Sequence, residues 1–357
     1  MRTLRLQGAI GILFGAACVG LLPTAGVAQG CTPIRFTTPI DLGGEGQAYQ
    51  RAQEWKLTLA YRRLYSNQFI VGTSEDPTKG PGGQAPKHDI HTVVADIGYS
   101  PTDRLQLNLS VPFSTGSITR AGWGAGNPAI HSQRATGIGD LNAMGALWLL
   151  DPKSHQNGNV SVGLGIKAPI GSHTKSSWFY SATDSVAFPA DQTVQPSDGG
   201  WGVTFQAQSF QRVGEGIYAY GSGTYTANPK DQTEVTINPT SPLHWSVPDV
   251  YQARIGAAVS VWPDQGLTLS LGGRLDGIPK NDLFGGGDST AVKRPSQIIY
   301  ADPGLSLSRG KTSFTLSVPI RLYVNRTKSG LEERTPGAVN GGGYAKYLIF
   351  ASVSRTL

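Results

Sequence analysis

The sequence predicts an all-β protein, a transmembrane antiparallel up-and-down β-barrel of about 12 strands. Three observations predict it: apolar and polar residues alternate with period two, short connections alternate with long ones, and an export leader precedes a chain without a long apolar stretch. In residues 105–113, Leu105, Leu107, Leu109, Val111 and Phe113 share one parity, with Gln106, Asn108 and Ser110 on the other. Residues 267–276 set Leu267, Leu269, Leu271 and Leu275 opposite Thr268, Ser270, Arg274 and Asp276. Strand side chains alternate faces, so each run is a ribbon with one apolar and one polar surface. With export and sparse apolar content, these ribbons read as a wall with lipid outside and a polar lumen inside.

The leader comes first. Arg2 and Arg5 precede an apolar stretch over residues 9–22 and small residues ending at Ala28, the pattern of a secretory signal cut after Ala28. No later stretch approaches the roughly 18 consecutive apolar residues of a membrane-spanning helix. A spanning structure must then be a closed barrel, because lipid offers no partner to an open sheet edge. The formal charge is +6; the leader carries Arg2 and Arg5 and no acidic residue, which leaves +4. That is too mild for nucleic acid, and no basic patch interleaves with aromatics. Glycine, 47 of 357 residues, suits tight turns and a crowded wall. Cys18 leaves with the leader, so Cys31 is alone and no internal disulfide forms; it reads as an unpaired thiol, with lipidation behind Gly30 as the alternative. Residues 29–54 are too polar for a strand and either hang in the periplasm or tuck into the lumen.

The barrel proper occupies residues 55–357. Its first strand is expected over 55–65, with Trp55, Leu57, Leu59 and Tyr61 outward and Lys56, Thr58 and Arg62 inward. The second returns over 93–99, and the chemistry of residues 100–104 makes a tight turn into the third, 105–113. The same unit recurs. Strands are expected over 139–150 and 160–171, 201–212 and 217–226, 251–262 and 267–276, 298–308 and 312–325, and finally 347–357. Five short turns lie on the side holding both termini and six long connections on the other, which makes the first side periplasmic and the second extracellular.

Charges follow the parity. Lys56, Arg62, Asp96, Asp140, Lys167, Arg254, Arg274, Asp276, Asp302 and Arg321 are expected to line the lumen. Arg63 and Arg355 break the pattern close to strand ends, where water and headgroups reach. Aromatics collect at the interfacial levels: Trp55, Tyr99, Trp148, Phe210 and Trp262 below, Tyr65, Phe113, Trp201 and Tyr323 above. Trp148 and Trp262 have the wrong parity and must face the lumen or follow a bulge. Pro112, Pro169, Pro279 and Pro319 are expected to mark the rim where pairing stops, since proline cannot donate to a ladder. Pro303 lies deeper and is a candidate kink.

No set of side chains announces catalysis. The six histidines, His88, His91, His131, His155, His173 and His244, mostly lie in connections, and the adjacent His131 and Ser132 would point apart on a strand. Asp282, Gly285 to Gly287 and Asp288 have no ligand spacing for a cation. The reading is therefore a non-enzyme with no cofactor and no metal; a lipid-modifying enzyme or a surface-exposed binding barrel is the alternative.

The stretch from Tyr99 to Phe113 (YSPTDRLQLNLSVPF), Gly137-Ile-Gly-Asp140, Gly163 to Gly171 (GLGIKAPIG) and Asp302-Pro-Gly304 resembles the outer-membrane transporter family of the meta-pathway phenol-degradation type. The resemblance covers most of the chain after Trp55. It implies an outer-membrane location and uptake of small compounds, aromatic or apolar ones among them. The chain departs from the pattern at its end, where Leu357 replaces the usual terminal aromatic and Phe350 lies seven residues earlier. The function expected is a passive channel for small solutes, with outer-membrane lipid, the solute and the barrel-assembly machinery as partners and no nucleic acid. Twelve strands enclose a lumen between those of filled eight-stranded barrels and wide porins. Its inward cations slightly outnumber the acids, so the charges either favour anions or pair to brace the wall.

Overall fold

A computed structural model describes residues 49–76, 85–121, 129–180, 184–239, 241–285, 290–335 and 341–357. The expected leader, Cys31 and residues 29–48 lie outside the described residues. Twelve antiparallel wall strands run in order: β1 (Trp55–Ser66), β2 (Lys87–Tyr99), β3 (Leu105–Ala121), β4 in two pieces (Ile130–Ile138 and Leu141–Trp148), β5 (Gly158–Ala168) and β6 (Gly202–Gly214). They continue as β7 (Ile217–Ala227), β8 (Val250–Trp262), β9 (Leu267–Ile278), β10 (Ser296–Arg309), β11 in two pieces (Thr312–Ser317 and Ile320–Arg326) and β12 (Leu348–Thr356). Each strand pairs with the next, and β12 returns to β1 from Lys56↔Thr356 to Leu64↔Leu348, closing the ring. The twelve-stranded barrel that the alternation predicts is the fold found.

The outer surface of the wall is apolar. Leu57, Leu59, Val93, Ile97, Leu107, Leu109, Leu164, Ile166, Leu269, Leu271, Leu305 and Leu316 are all exposed. On the opposite parity the residues are small, hydroxylated or charged and mostly enclosed. This polarity does not persist to the extracellular end. Tyr61, Val93, Phe113 and Ile138 are successive cross-strand partners on the outside of β1 to β4. Two residues higher the same row becomes Arg63, His91, Thr115 and Thr136, and two higher again Tyr65, Asp89, Ser117 and Arg134. Inside, Leu64, Ile90 and Ala135 of the neighbouring row are buried and apolar, as is Ile118 above them. The wall is thus inside-out in the hydrocarbon and an ordinary soluble sheet above it. The row of Phe113 and Ile138 marks the boundary.

This inversion corrects the expected ends of β3 and β4. Residues 114–136, expected as a loop, continue β3 to Ala121 and begin β4 at Ile130. A search for large apolar residues facing outward misses them because there water, not lipid, is outside. Arg63, on the outer parity, sits in this aqueous zone and makes a bidentate pair with Asp89 at 3.0 and 3.1 Å.

The prolines need a second correction. Pro169 and Pro279 do follow the ends of β5 and β9, but Pro112 lies in the middle of a continuous β3. Its neighbour β4 takes the strain instead: the ladder breaks at Gly139 and Asp140, and Gly139 N–H bonds the Pro112 carbonyl at 2.8 Å. Pro319 likewise splits β11, where Val318 N–H reaches the carbonyl of Pro303 at 3.1 Å. A proline without an N–H is tolerated inside a wall when the partner strand bulges around it.

Connections on the extracellular side carry small sheets of their own. Ser176–Tyr180 pairs with Ser185–Pro189, Gln232–Thr236 with His244–Ser246, and Phe69–Val71 with Ser74–Glu75 and Gly341–Gly343. The short helix Gly330–Arg334 opens on a capping box of Ser329 and Glu332. Glu332 also takes the buried guanidinium of Arg326 at 2.6 Å.

Replacing Leu271 by Arg, on the lipid face of β9, should cost roughly 2–4 kcal/mol, whereas Thr136→Arg, on the same face above the boundary, should cost about 0–1. Urea unfolding of the barrel in lipid vesicles measures both. Equal costs would place the hydrocarbon boundary elsewhere.

Candidate functional site

The enclosed face of the barrel is a column of side chains in four layers. At the extracellular end, residues 190–197 of the connection between β5 and β6 turn inward and are buried throughout. Asp191 N–H donates to Gln133 Oε1 at 3.0 Å, and Gln195 Nε2 donates to the carbonyls of Lys175 and Ala190 at 2.9 Å. Val194 fits where Gly116 leaves room: a Cβ at Gly116 would lie 3.0 Å from the Val194 Cβ. From the connection between β11 and β12 come Tyr344 and Ala345, whose carbonyls accept from Arg321 Nη1 at 3.0 and 3.3 Å. These segments share one apolar cluster with Leu64, Ile90, Ile118, Ile298, Tyr300, Val324, Leu348 and Phe350. The outer mouth is filled.

Below this cap lies a latch. Asp140 is fully buried at the break in β4 and accepts a short hydrogen bond from the Ser197 hydroxyl. Lys167 Nζ lies 2.7 Å from Asp198 and 4.0 Å from Asp140. The inward segment is therefore tied to the wall by two carboxylates, one ammonium and a hydroxyl.

The third layer holds two arginines directly opposite one another across strands, Arg254 and Arg274. Like charges in register need counter-charges, and each has one. Arg254 meets Asp302 at 2.7 Å, and Asp302 also accepts from Ser317 at 2.5 Å. Arg274 meets Asp276 at 2.9 Å, and its guanidinium lies 4.5 Å from the centre of the Phe350 ring. Arg62, also enclosed, donates to Thr92 Oγ1 at 3.3 Å. The Tyr220 ring lies beside Arg254 and across two glycines, since a Cβ at Gly256 or Gly272 would come within 2.6 or 2.8 Å of its hydroxyl.

The periplasmic half is lined with hydroxyls. Thr58 bonds Ser354 at 2.8 Å and Thr315 bonds Ser352 at 2.6 Å. Asp96 accepts from Ser110 at 2.5 Å and lies within electrostatic reach of Lys56. A small cavity of about 30 Å³ opens among Tyr220, Arg254, Thr268, Ser270, Ser306 and Thr315. It is room for a water molecule or two.

All ten charges expected on the lumen parity are placed: six of them, Asp140, Lys167, Arg254, Arg274, Asp276 and Asp302, form buried pairs or latches with named partners. Arg321 holds the cap, and Arg62, Lys56 and Asp96 lie along the same face. Sequence reading missed the partner Asp198 and the inward residues 190–197, because a polar connection carries no periodic signal. It also placed Phe210 in the lower aromatic belt, whereas Phe210 is buried inside the barrel. Trp148 faces the lumen too, and Trp262 is turned outward by a register shift between Ser260 and Trp262. Tyr49, just ahead of β1, packs its ring against both Trp148 and Phe210 at the periplasmic mouth. Its hydroxyl donates to the His155 carbonyl at 2.6 Å. Burial pushes that phenol up to about 12. The segment ahead of β1 thus enters the lumen at its described end.

The described residues of the two candidate chemistries are placed as follows. His131 stacks on Tyr180 at 3.8 Å, while the neighbouring Ser132 bonds Thr119 on the other face. Asp282 is paired with Lys293 at 2.7 Å and accepts the Asp249 N–H, and Asp288 lies outside the described residues.

No family model matches the sequence, and no curated protein matches it. Solved structures do. An outer membrane channel of Pseudomonas putida F1 aligns with a TM-score of 0.60 at 14% identity, covering 90% of this chain and 100% of that one. A FadL homologue of Pseudomonas aeruginosa aligns at 0.43 with 10% identity, covering 93% and 99%. The CymD monoaromatic hydrocarbon channel aligns at 0.40 with 10% identity, covering 93% and 97%. The first of these establishes the fold, that of an outer-membrane β-barrel.

Arg254→Met should destabilise the barrel by about 3–5 kcal/mol by stranding Asp302, and adding Asp302→Leu should recover much of that loss; urea titration of the four-member cycle measures it. Additive losses would show that the pair is uncoupled. For Tyr49, a folded-state value above the ordinary 10 means docking favours the neutral phenol. The docked state is fully stabilised below pH 10 and loses that stabilisation as pH rises through 12. Planar-bilayer conductance should rise over this window and rise less in Tyr49→Phe; identical titrations would remove Tyr49 from the closure.

Proposed function

We propose that the protein is an outer-membrane channel for passive uptake of small solutes, apolar or aromatic compounds among them, as in transporters of the meta-pathway phenol-degradation type. The observation that carries the reading is a lipid-facing wall around an enclosed polar column, stoppered at both ends by segments that are not part of the wall. A barrel serving only as an anchor needs no such stoppers. The expected anion preference is weakened by the pairing of Arg254 with Asp302 and Arg274 with Asp276, which leaves little net field in the middle layer. Those charges are better read as braces that hold the lumen's shape. Selectivity then falls to the two ends: the apolar cap above and the aromatic mouth below. Outer-membrane lipid and the assembly machinery are the partners such a barrel requires, and the residues ahead of β1 act as a removable plug.

Swelling of liposomes containing the purified barrel, across a series of sugars, organic acids and aromatic compounds, tests this. Removal of residues 29–54 should raise permeation severalfold, and Lys167→Ala, which loosens the latch on residues 190–197, should raise it further. Absence of flux for every solute in all three proteins would overturn the channel.

A further inference from the structure

The lower lumen is lined by hydroxyls, yet at its periplasmic end it holds an isolated aromatic group. Trp148, the last residue of β4, and Phe210, on β6, are both buried, with ring centroids 5.9 Å apart and planes at 84°. The third ring belongs to no wall strand. Tyr49 stands edge-on to both, 4.9 Å from Trp148 at 77° and 5.5 Å from Phe210 at 66°. Edge-to-face contacts of this kind are how a protein holds an isolated aromatic molecule.

Three features distinguish this group from ordinary packing. First, Tyr49 is attached through a short stretch, with Gln50 Nε2 bonded to the Glu54 carbonyl and Ala52 N–H to Asp103. It can leave without unfolding the ring of strands. Second, the Tyr49 hydroxyl donates to the backbone carbonyl of His155 and also hydrogen-bonds the Asn159 side chain. A free phenol could make the same bonds. Third, the indole Nε1 of Trp148 is buried with no acceptor. Buried donors are nearly always partnered, so an unmet indole N–H beside a displaceable ring calls for an explanation. A phenylalanine would pack against Tyr49 without that cost. A solute carrying an oxygen would satisfy it.

We propose that Trp148 and Phe210 form a binding subsite for a single aromatic ring bearing an oxygen substituent, a phenol or a close analogue, and that Tyr49 occupies it as a built-in competitor. This rests on the channel reading above and adds to it the two rings that hold the solute and the residue of the chain that competes for them. A phenol arriving from above displaces Tyr49 and takes its place between the two rings. The tether gives Tyr49 a high local concentration. The subsite is therefore vacant for only a small fraction of the time, and the apparent affinity for a free phenol is reduced by that fraction.

The probe is p-cresol, the side chain of tyrosine as a free molecule. Calorimetry of p-cresol binding to the full-length barrel in detergent should show Tyr49→Ala binding roughly tenfold more tightly than the parent, while Tyr49→Phe, which keeps the ring, stays close to it. Adding Phe210→Ala to Tyr49→Ala should abolish the gain. Adding Trp148→Phe should reduce it and should erase the preference for p-cresol over toluene. Folding of each variant is checked by heat-modifiable migration on a gel. No gain in Tyr49→Ala, or a gain that survives loss of both Trp148 and Phe210, overturns the subsite. Flux of p-cresol into liposomes separates the two readings: flux without the gain leaves the channel and removes the subsite, while the gain without flux leaves the subsite and removes the channel.

Discussion

Everything in this molecule depends on the pairing of β12 with β1. In hydrocarbon an unpaired backbone N–H or C=O has no water to turn to, so a sheet of any length is unstable there until its first and last strands meet. The nine-residue register from Lys56↔Thr356 to Leu64↔Leu348 supplies that closure. It also fixes the rest. An even number of strands puts both chain ends on one side, lets five turns on that side be short, and leaves the opposite side to accommodate whatever the long connections carry.

Closure creates an enclosed space, and the fold spends its polar residues there. The arginines facing each other on β8 and β9 would repel if left alone. Asp302 and Asp276 convert the repulsion into a network whose members cannot be removed singly. Asp140 and Asp302 both sit beside wall breaks caused by proline, where the bulged backbone frees space for a buried carboxylate and its partners. Proline, bulge and buried acid form one local solution, used once near β3 to β5 and once near β10 to β11.

Much of the wall could be read in the sequence because period-two alternation is a direct record of a strand with two different solvents. Leu105 to Phe113 and Leu267 to Asp276 needed nothing more. The reading failed wherever the two solvents changed. Above Phe113 the outside is water, so Thr115, Ser117 and Ile118 obey the opposite rule and looked like loop. Trp148 and Phe210 looked like interfacial anchors because composition reports that a ring is present and not which way it points; the odd parity of Trp148 was the one available signal. Residues 190–197 were illegible for a different reason. Their burial is decided by Gln133, Lys175 and Asp140, residues far away in sequence, and nothing local in Ala-Asp-Gln-Thr-Val-Gln-Pro-Ser encodes that meeting.

The filled outer mouth has a consequence for what can enter. Leu64, Ile90, Ile118, Ile298, Val324 and Leu348 set an apolar plug beside the buried polar side chains of the cap, where a porin presents an aqueous vestibule. A hydrated ion arriving there must shed its water before it advances, whereas an uncharged ring dissolves in the plug as it would in a solvent. In the channel proposed above, partitioning, and not sieving by width, would then be the first selection.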